Sequence, residues 1–200
     1  MSAIGLERER SNYIVHPQKF ALWLFILTVI MIFGGLTSAY IVQRGFVDTG
    51  QQIIFDLPGI LWMNLVVIVF SSVPMQYSVW AAKNQDTRKA MLALGMTFVL
   101  GVIFLIGQVD AWGAMVESGL PLVDPTRKDN SVSFFYIFTG LHGLHILAAL
   151  IAVLIAFVRT GLKDFRPGRR ALTYELTAIF WHFLGLLWVY LFIFLEFTQN

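Results

Sequence analysis

Five apolar stretches, each long enough to cross a bilayer, constrain this chain more than any other feature. A spanning helix needs about 20 mostly apolar residues, and stretches of at least that length occupy residues 20–43, 58–82, 90–113, 131–158 and 172–197. In lipid, every backbone N–H and C=O must be paired within the protein, so each stretch should be helical throughout. The sequence therefore predicts an all-α, polytopic membrane protein built as a five-transmembrane-helix bundle.

The composition agrees with a lipid environment. Of the 200 residues, 58% are hydrophobic and 13% are charged, whereas soluble domains carry about 25% charged residues. The chain has no cysteine, which excludes disulfides, thiolate metal sites and cysteine nucleophiles. The net charge of +2 reflects basic loops, and we expect no nucleic-acid partner.

Lysine and arginine are distributed unevenly between the two sides of the predicted bundle. One side holds the N-terminal tail and the loops after the second and fourth stretches, and it carries eleven of these residues against three on the other side. Loops on the cytoplasmic side of a membrane are enriched in them. We therefore predict a cytoplasmic N-terminal tail over residues 1–19, one five-helix membrane domain over residues 20–200, and a periplasmic C-terminus.

Titratable side chains inside the apolar stretches are the candidate functional residues, because such groups are costly in a bilayer unless they are paired. The fourth stretch contains His142 and His145, which are three residues apart and so lie on neighbouring positions of one helix face. The fifth stretch contains Glu175 and His182, which are two helical turns apart on a shared face. A metal site at the histidine pair would need at least one further ligand.

Haem ligation by His142 and His182 across two helices is disfavoured, because their expected depths differ by roughly 10 Å at the helical rise per residue. We favour a structural role in which these imidazoles form hydrogen bonds across the bundle. For Glu175 two interpretations stay open. The carboxylate pairs with an arginine of the basic loop 159–170, or it makes a specific contact with lipid or another subunit.

Other polar side chains in the stretches fit structural roles. Asn64 and Gln76 are predicted to form hydrogen bonds between helices, and Gln108 and Asp110 are predicted to lie together at a helix end near the water interface. The sequence shows no HExxH pattern, nucleophile elbow, phosphate loop or dinucleotide fingerprint. We therefore expect no active site in this chain.

Two motifs near the C-terminus resemble those of subunit III of the haem–copper oxidases, the cytochrome c and quinol oxidase family. The fourth stretch contains Thr139-Gly-Leu-His142-Gly-Leu-His145, and the fifth contains Glu175 followed by Trp181-His182-Phe183. A looser similarity runs through Gly35-Leu-Thr-Ser-Ala-Tyr40 of the first stretch. Five helices correspond to the shorter form of this subunit.

The resemblance implies a non-catalytic accessory subunit of a respiratory terminal oxidase, a complex that reduces O2 to water and pumps protons in a bacterial inner membrane. Such a subunit carries no haem or copper, which are expected in the partner subunits. The implied partners are oxidase subunits I and II, phospholipid and other respiratory complexes. The family position that holds a phospholipid head group corresponds to Arg159. The resulting candidates for lipid or subunit contact are His142, His145, Arg159, Glu175 and His182.

The chain departs from the family pattern at three carboxylates. Thr28-Val29-Ile30 stands where the family often has Ser-Glu-Val, Ala111 replaces a glutamate, and Gly185 replaces an aspartate. These losses argue against an ionisable relay through the first helix. The alternatives are the homologous accessory subunit of a nitric oxide reductase and, from other classes, a free-standing membrane haem protein or a transporter.

Overall fold

The computed structural model describes residues 17–47, 53–124, 129–162 and 169–199, and it contains five helices within those ranges. They are α1 (Pro17–Gly45), α2 (Ile60–Lys83), α3 (Thr87–Glu117), α4 (Ser131–Gly161) and α5 (Arg169–Gln199). Each helix is long and apolar enough to cross a membrane, and the described ranges contain no strand. The predicted all-α, five-helix architecture is confirmed.

The helices begin and end within four residues of the predicted bounds. α1 starts at Pro17, earlier than residue 20, because proline suits the first turn of a helix, where its missing N–H is not needed. α3 starts at Thr87, because the Asp86 side chain caps the helix by accepting a hydrogen bond from the backbone N–H of Lys89. Residues 1–16, most of the predicted tail, lie outside the described residues.

Helices α2, α3, α4 and α5 form a closed ring, and α1 packs on the outside of this ring. α2 contacts α3 and α5, and α4 also contacts α3 and α5. Among the described helices, α1 contacts only α4 and α5. It does so through a stripe of residues spaced three or four apart, which places them on one helix face. The members of this stripe are Ile26, Val29, Phe33, Thr37 and Tyr40.

Contacts at both ends of the bundle show how the helices run. Lys19 of α1 lies 3.0 Å from Glu175 of α5, and Tyr40 of α1 contacts Phe194 of α5 with ring centroids 5.6 Å apart. α1 and α5 are therefore parallel, whereas α2 and α4 run in the opposite direction. The end of the bundle at which α1 and α5 begin is called the Lys19 end below. α5 contacts α1, α2 and α4 and contributes the two largest fully buried side chains, Trp181 and Trp188.

Candidate functional site

His142 lies in the interior of the ring, between α3 and α5. Its imidazole stacks on the Trp188 ring with centroids 5.0 Å apart, and it meets the Phe104 ring edge-on at 5.8 Å. The side chain has no exposed surface. Neither ring nitrogen has a hydrogen-bond partner among the described residues. The predicted hydrogen bond across the bundle is therefore wrong for His142, because the rings that face it are carbon surfaces.

His145 faces a different neighbour, although it is only one turn away. Its Nδ1 lies 2.7 Å from the carbonyl oxygen of Leu141, in its own helix. Its ring packs beside Phe25 and Phe33 of α1 at centroid distances of 6.2 and 5.9 Å. For this residue, too, the predicted bond across the bundle is wrong, because Nδ1 reaches back to the preceding turn. His145 therefore marks the position where α1 packs on α4.

His182 does form a bond between helices. Its Nε2 lies 3.2 Å from Oε1 of Gln76, so α5 is joined to α2 at this position. The prediction of cross-bundle bonding is confirmed for His182, as is the prediction that Gln76 pairs with another helix. His142 and His182 have separate sets of neighbours. Among the described residues, no group of three or more His, Cys, Asp or Glu side chains is placed to hold a metal ion.

Trp181, beside His182, packs closely between helices. Its indole Nε1 donates to the Ser71 hydroxyl at 2.9 Å, and that hydroxyl donates to the carbonyl oxygen of Ile68 at 2.6 Å. The far edge of the indole ring lies over Gly101 of α3, where an added Cβ would be 2.6 Å from the ring and 2.7 Å from the side chain of Leu150. Trp181 thus contacts α2 and α3 at the level where Leu150 of α4 also lies against Gly101, and the indole N–H and the Ser71 hydroxyl are both paired.

Glu175 pairs with two lysines at the Lys19 end. Its carboxylate oxygens lie 3.0 Å from Nζ of Lys19 and 2.9 Å from Nζ of Lys83. Arg166 of loop 159–170 lies outside the described residues, so the pairing of Glu175 with an arginine of that loop stays a prediction beside these two lysine pairs. α1 begins and α2 ends beside this turn of α5, so their terminal lysines reach Glu175. The carboxylate therefore links α1, α2 and α5.

Arg159 lies in the last turn of α4, also at the Lys19 end, and its side chain is exposed. A cation is favourable there because the C-terminus of a helix carries partial negative charge. Nearby, Thr160 bonds with the hydroxyl of Tyr174 at 2.8 Å, and Arg170 donates to the hydroxyl of Thr87 at 2.7 Å. These two bonds hold α5 against α4 and α3 while Arg159 faces outward.

Two further polar residues are buried in the ring. Asn64 donates to the carbonyl oxygen of Phe104 at 3.4 Å, which confirms the predicted bond between helices. Gln108 is only 2% exposed, so its predicted position at the water interface is wrong. α4 covers it, because the Trp112 indole donates to Thr139 at 2.9 Å and holds the two helices together. Gln108 follows Phe104 by one turn on the buried face of α3, and this spacing was a usable signal of its burial.

Comparisons with known proteins match this chain over nearly its whole length. The family described as "Cytochrome c oxidase subunit III" matches residues 6–199. Cytochrome c oxidase subunit 3 of Corynebacterium diphtheriae is 30% identical over 181 residues, which is 88% of this chain and 85% of the relative. The subunit 3 of Synechocystis sp. is 30% identical over 189 residues, or 89% of this chain and 75% of the relative. The family match extends over all five helices.

Proposed function

Since the chain belongs to the cytochrome c oxidase subunit III family, we propose that it assembles with subunits I and II of a respiratory terminal oxidase, stabilises the catalytic subunit and binds phospholipid. In this proposal haem and copper belong to the partner subunits. The accessory subunit of a nitric oxide reductase is not favoured as an alternative, because the relatives are named cytochrome c oxidase subunit 3. The same names disfavour a free-standing haem protein or transporter.

One observation supports a stabilising role most directly: the motif residues of α5 bond to other helices of the same chain. Trp181 bonds to Ser71, and His182 bonds to Gln76, so two consecutive residues join α5 to α2. Glu175 adds ion pairs with Lys19 and Lys83. The motif therefore holds the helices of the bundle together, as expected of a subunit that offers its partners a stable surface within the membrane.

The outward face of α1 supports contact with a neighbouring subunit or with lipid. Within the described ranges this helix has neighbours on one side only, and its other side exposes large apolar residues. Four of them are Trp23, Leu24, Leu27 and Met31. Apolar faces of this kind meet lipid or other membrane helices. Proposed contact candidates among the motif residues are His145 and His182, which are partly exposed, and Arg159 and Glu175. His142, also predicted to contact lipid or a subunit, is enclosed within this chain.

Two apolar grooves beside α3 support phospholipid binding at the Lys19 end, where Arg159 also lies. One, of about 770 Å³, runs between α3 and α4 and is lined by Arg88 and Phe157. The other, of about 760 Å³, runs between α2 and α3 and includes Lys89. Both have their cation at the Lys19 end. A Cβ added at Gly161 would lie 3.4 Å from the Met91 side chain, so the last turn of α4 adjoins the first groove. Acyl chains would fill the grooves, and the arginines would hold acidic head groups.

We place the Lys19 end in the cytoplasm of a bacterial cell and the opposite end in the periplasm, with the chain spanning the inner membrane. The support is the distribution of Lys and Arg along the whole sequence, in which eleven of fourteen fall on the Lys19 side. Labelling of single introduced cysteines tests this orientation. A cysteine at position 84 should react only when a reagent can enter the cytoplasm, and a cysteine at position 118 should react with an impermeant reagent from outside.

Native mass spectrometry of the complex, purified in mild detergent, tests the assembly and the lipid site together. We expect subunits I and II to accompany this chain, and Arg159→Ala to reduce the retained phospholipid while the haem content stays unchanged. Arg159→Lys, which keeps the charge, should retain more lipid than Arg159→Ala. Purification without a haem–copper subunit would overturn the assembly. Equal lipid retention in wild type and Arg159→Ala would overturn the assignment of Arg159.

A further inference from the structure

Three buried side chains on three different helices carry polar atoms that have no hydrogen-bond partner in the described part of the chain. They are Gln108 of α3, His142 of α4 and Trp188 of α5, with 2%, 0% and 1% of their surface exposed. Both amide atoms of Gln108, both ring nitrogens of His142 and the indole Nε1 of Trp188 have no hydrogen-bond partner among the described residues. Buried polar atoms in proteins are normally bonded to protein or to ordered water.

The three side chains lie at one depth in the bundle. The His142 ring stacks on Trp188 at 5.0 Å, and Phe104 contacts both rings at 5.8 and 5.1 Å. Gln108 is one turn beyond Phe104 on the same face of α3. The register of α3 on α4 agrees, because Trp112 bonds to Thr139 further along. This cluster of Phe104, Gln108, His142 and Trp188 is called the His142 level.

The unpaired atoms include both donors and acceptors. The amide of Gln108 offers a carbonyl oxygen and an NH2 group, a neutral imidazole offers one donor and one acceptor, and an indole offers one donor. An ion of either sign would satisfy only part of this set. A molecule that both donates and accepts hydrogen bonds, and that is small enough to lie among aromatic rings, satisfies all of it. Water has these properties, and buried waters typically make about three such bonds.

A groove on the surface of the bundle reaches one member of this cluster, Gln108. It has a volume of about 290 Å³ and runs between α3 and α4, beside Trp112 and Gln108. Its α4 wall consists of Gly140, Gly143, Leu144 and Leu147. Gln108 lines the groove and also belongs to the His142 level. A small polar molecule in this groove would therefore lie beside Gln108, at the edge of the buried cluster.

We propose that the His142 level is a buried water-binding site, in which one or a few water molecules bridge Gln108, His142 and Trp188. Gln108, His142 and Trp188 form no direct hydrogen bond to one another. The bound water therefore joins α3, α4 and α5 at this level. This site uses only side chains of this chain. Its existence does not depend on which complex the chain enters.

A high-resolution cryo-electron microscopy map of the purified complex tests the site. We expect density peaks about 2.7–3.2 Å from polar atoms of at least two of the three side chains. Gln108→Met, which keeps the length of the side chain but removes its polar atoms, should weaken or abolish a peak. Gln76→Met removes an amide from a different depth and should leave the peaks unchanged. No peak in a map that shows ordered water elsewhere in the membrane region would overturn the proposal, as would direct bonds among the three side chains.

The hydrogen bonding of the Trp188 indole N–H gives a second test of the site. This test does not require that the Gln108→Met variant folds. Ultraviolet resonance Raman spectra of the wild-type complex, with Trp188→Phe used to identify the Trp188 signal, report whether this N–H is hydrogen-bonded. We expect a bonded N–H that exchanges in D2O. The Trp181 signal, identified with Trp181→Phe, supplies the reference for an indole bonded to a protein hydroxyl. A free Trp188 N–H that does not exchange would contradict bound water.

Discussion

Two levels of the bundle core, two turns apart on α5, bury a tryptophan in different ways. At the Trp181 level, formed by Ser71, Gly101, Leu150 and Trp181, a hydroxyl accepts the indole N–H and a glycine makes room for the ring. At the His142 level, the Trp188 ring meets other rings and its N–H has no partner among the described residues. Small residues let helices approach closely enough for polar groups to bond. Large facing rings keep those groups apart.

The largest expected effect comes from closing the space over Trp181. Gly101→Ala would put a Cβ 2.6 Å from the indole ring and 2.7 Å from Leu150, and the rigid ring cannot yield without moving α5. Overpacking of this kind typically costs about 1–3 kcal/mol. Titration of the full chain with a denaturing detergent should show this loss. Gly95→Ala, on the same helix but with its nearest contact at 3.9 Å, should leave the midpoint nearly unchanged. If the two variants unfold alike, the tight fit at the Trp181 level is wrong.

A smaller effect should follow from removing the partner of the Trp181 indole. Ser71→Ala leaves a buried N–H unpaired, whereas Ser78→Ala removes an equivalent buried hydroxyl that bonds only within α2, to Met75. Both serines donate to a carbonyl three residues earlier, so the comparison isolates the interhelical bond. Such bonds in membranes are worth about 0.6–1.7 kcal/mol. In the same detergent titration, Ser71→Ala should therefore reduce the stability by that much more than Ser78→Ala does. Equal losses would show that the bond from Trp181 to Ser71 does not stabilise the Trp181 level.

The α2–α3 contact near the His142 level should tolerate an added methyl group better than the Trp181 level does. A Cβ at Gly107 would contact Oδ1 of Asn64. The short amide can rotate away, at the expense of its 3.4 Å bond to the carbonyl of Phe104. An off-rotamer side chain costs about 0.5–1.5 kcal/mol, so Gly107→Ala should destabilise the chain less than Gly101→Ala. The reverse order would show that α2 and α3, the most closely packed pair, are the less tolerant contact.

The smallest effect is expected outside both levels, at the cap of α3. The side chain of Lys89, and then its backbone N–H, hold the pKa of Asp86 below its usual value of 3.8. A carboxyl with a lowered pKa stabilises the folded state above its unfolded pKa, and this contribution is lost as the pH falls through the folded pKa. Protection of the first turn of α3 from hydrogen exchange should therefore fall below pH 3.8. Asp86→Asn, which keeps a capping oxygen but not the charge, should lack this pH dependence. If the variant shows the same pH dependence as the wild type, Asp86 is not the group that causes it.

Much of the fold followed from the sequence, because hydropathy and helix length are properties of one segment at a time. The bonding of Gln76 and His182 to other helices also followed from the sequence, since polar residues on a buried helix face usually bond to a neighbouring helix. The partners of Glu175 did not follow. They depend on Lys19 and Lys83 reaching the same end of the bundle from two other helices. Gln108 was expected to be in contact with water, and its burial did not follow from the sequence because it depends on how α3 packs against its neighbours.

By itself, the sequence determined the five spanning helices, the uneven distribution of positive charge and the C-terminal motifs that mark the family. Only the tertiary structure decided what the motif residues contact: His142 stacks on Trp188, His145 faces α1, and Trp181 bonds to Ser71. The physical reason is that the spacing of residues along one helix specifies the face they share. The group that meets that face depends on which helices are neighbours, how far each has shifted along the other, and where small residues allow close approach.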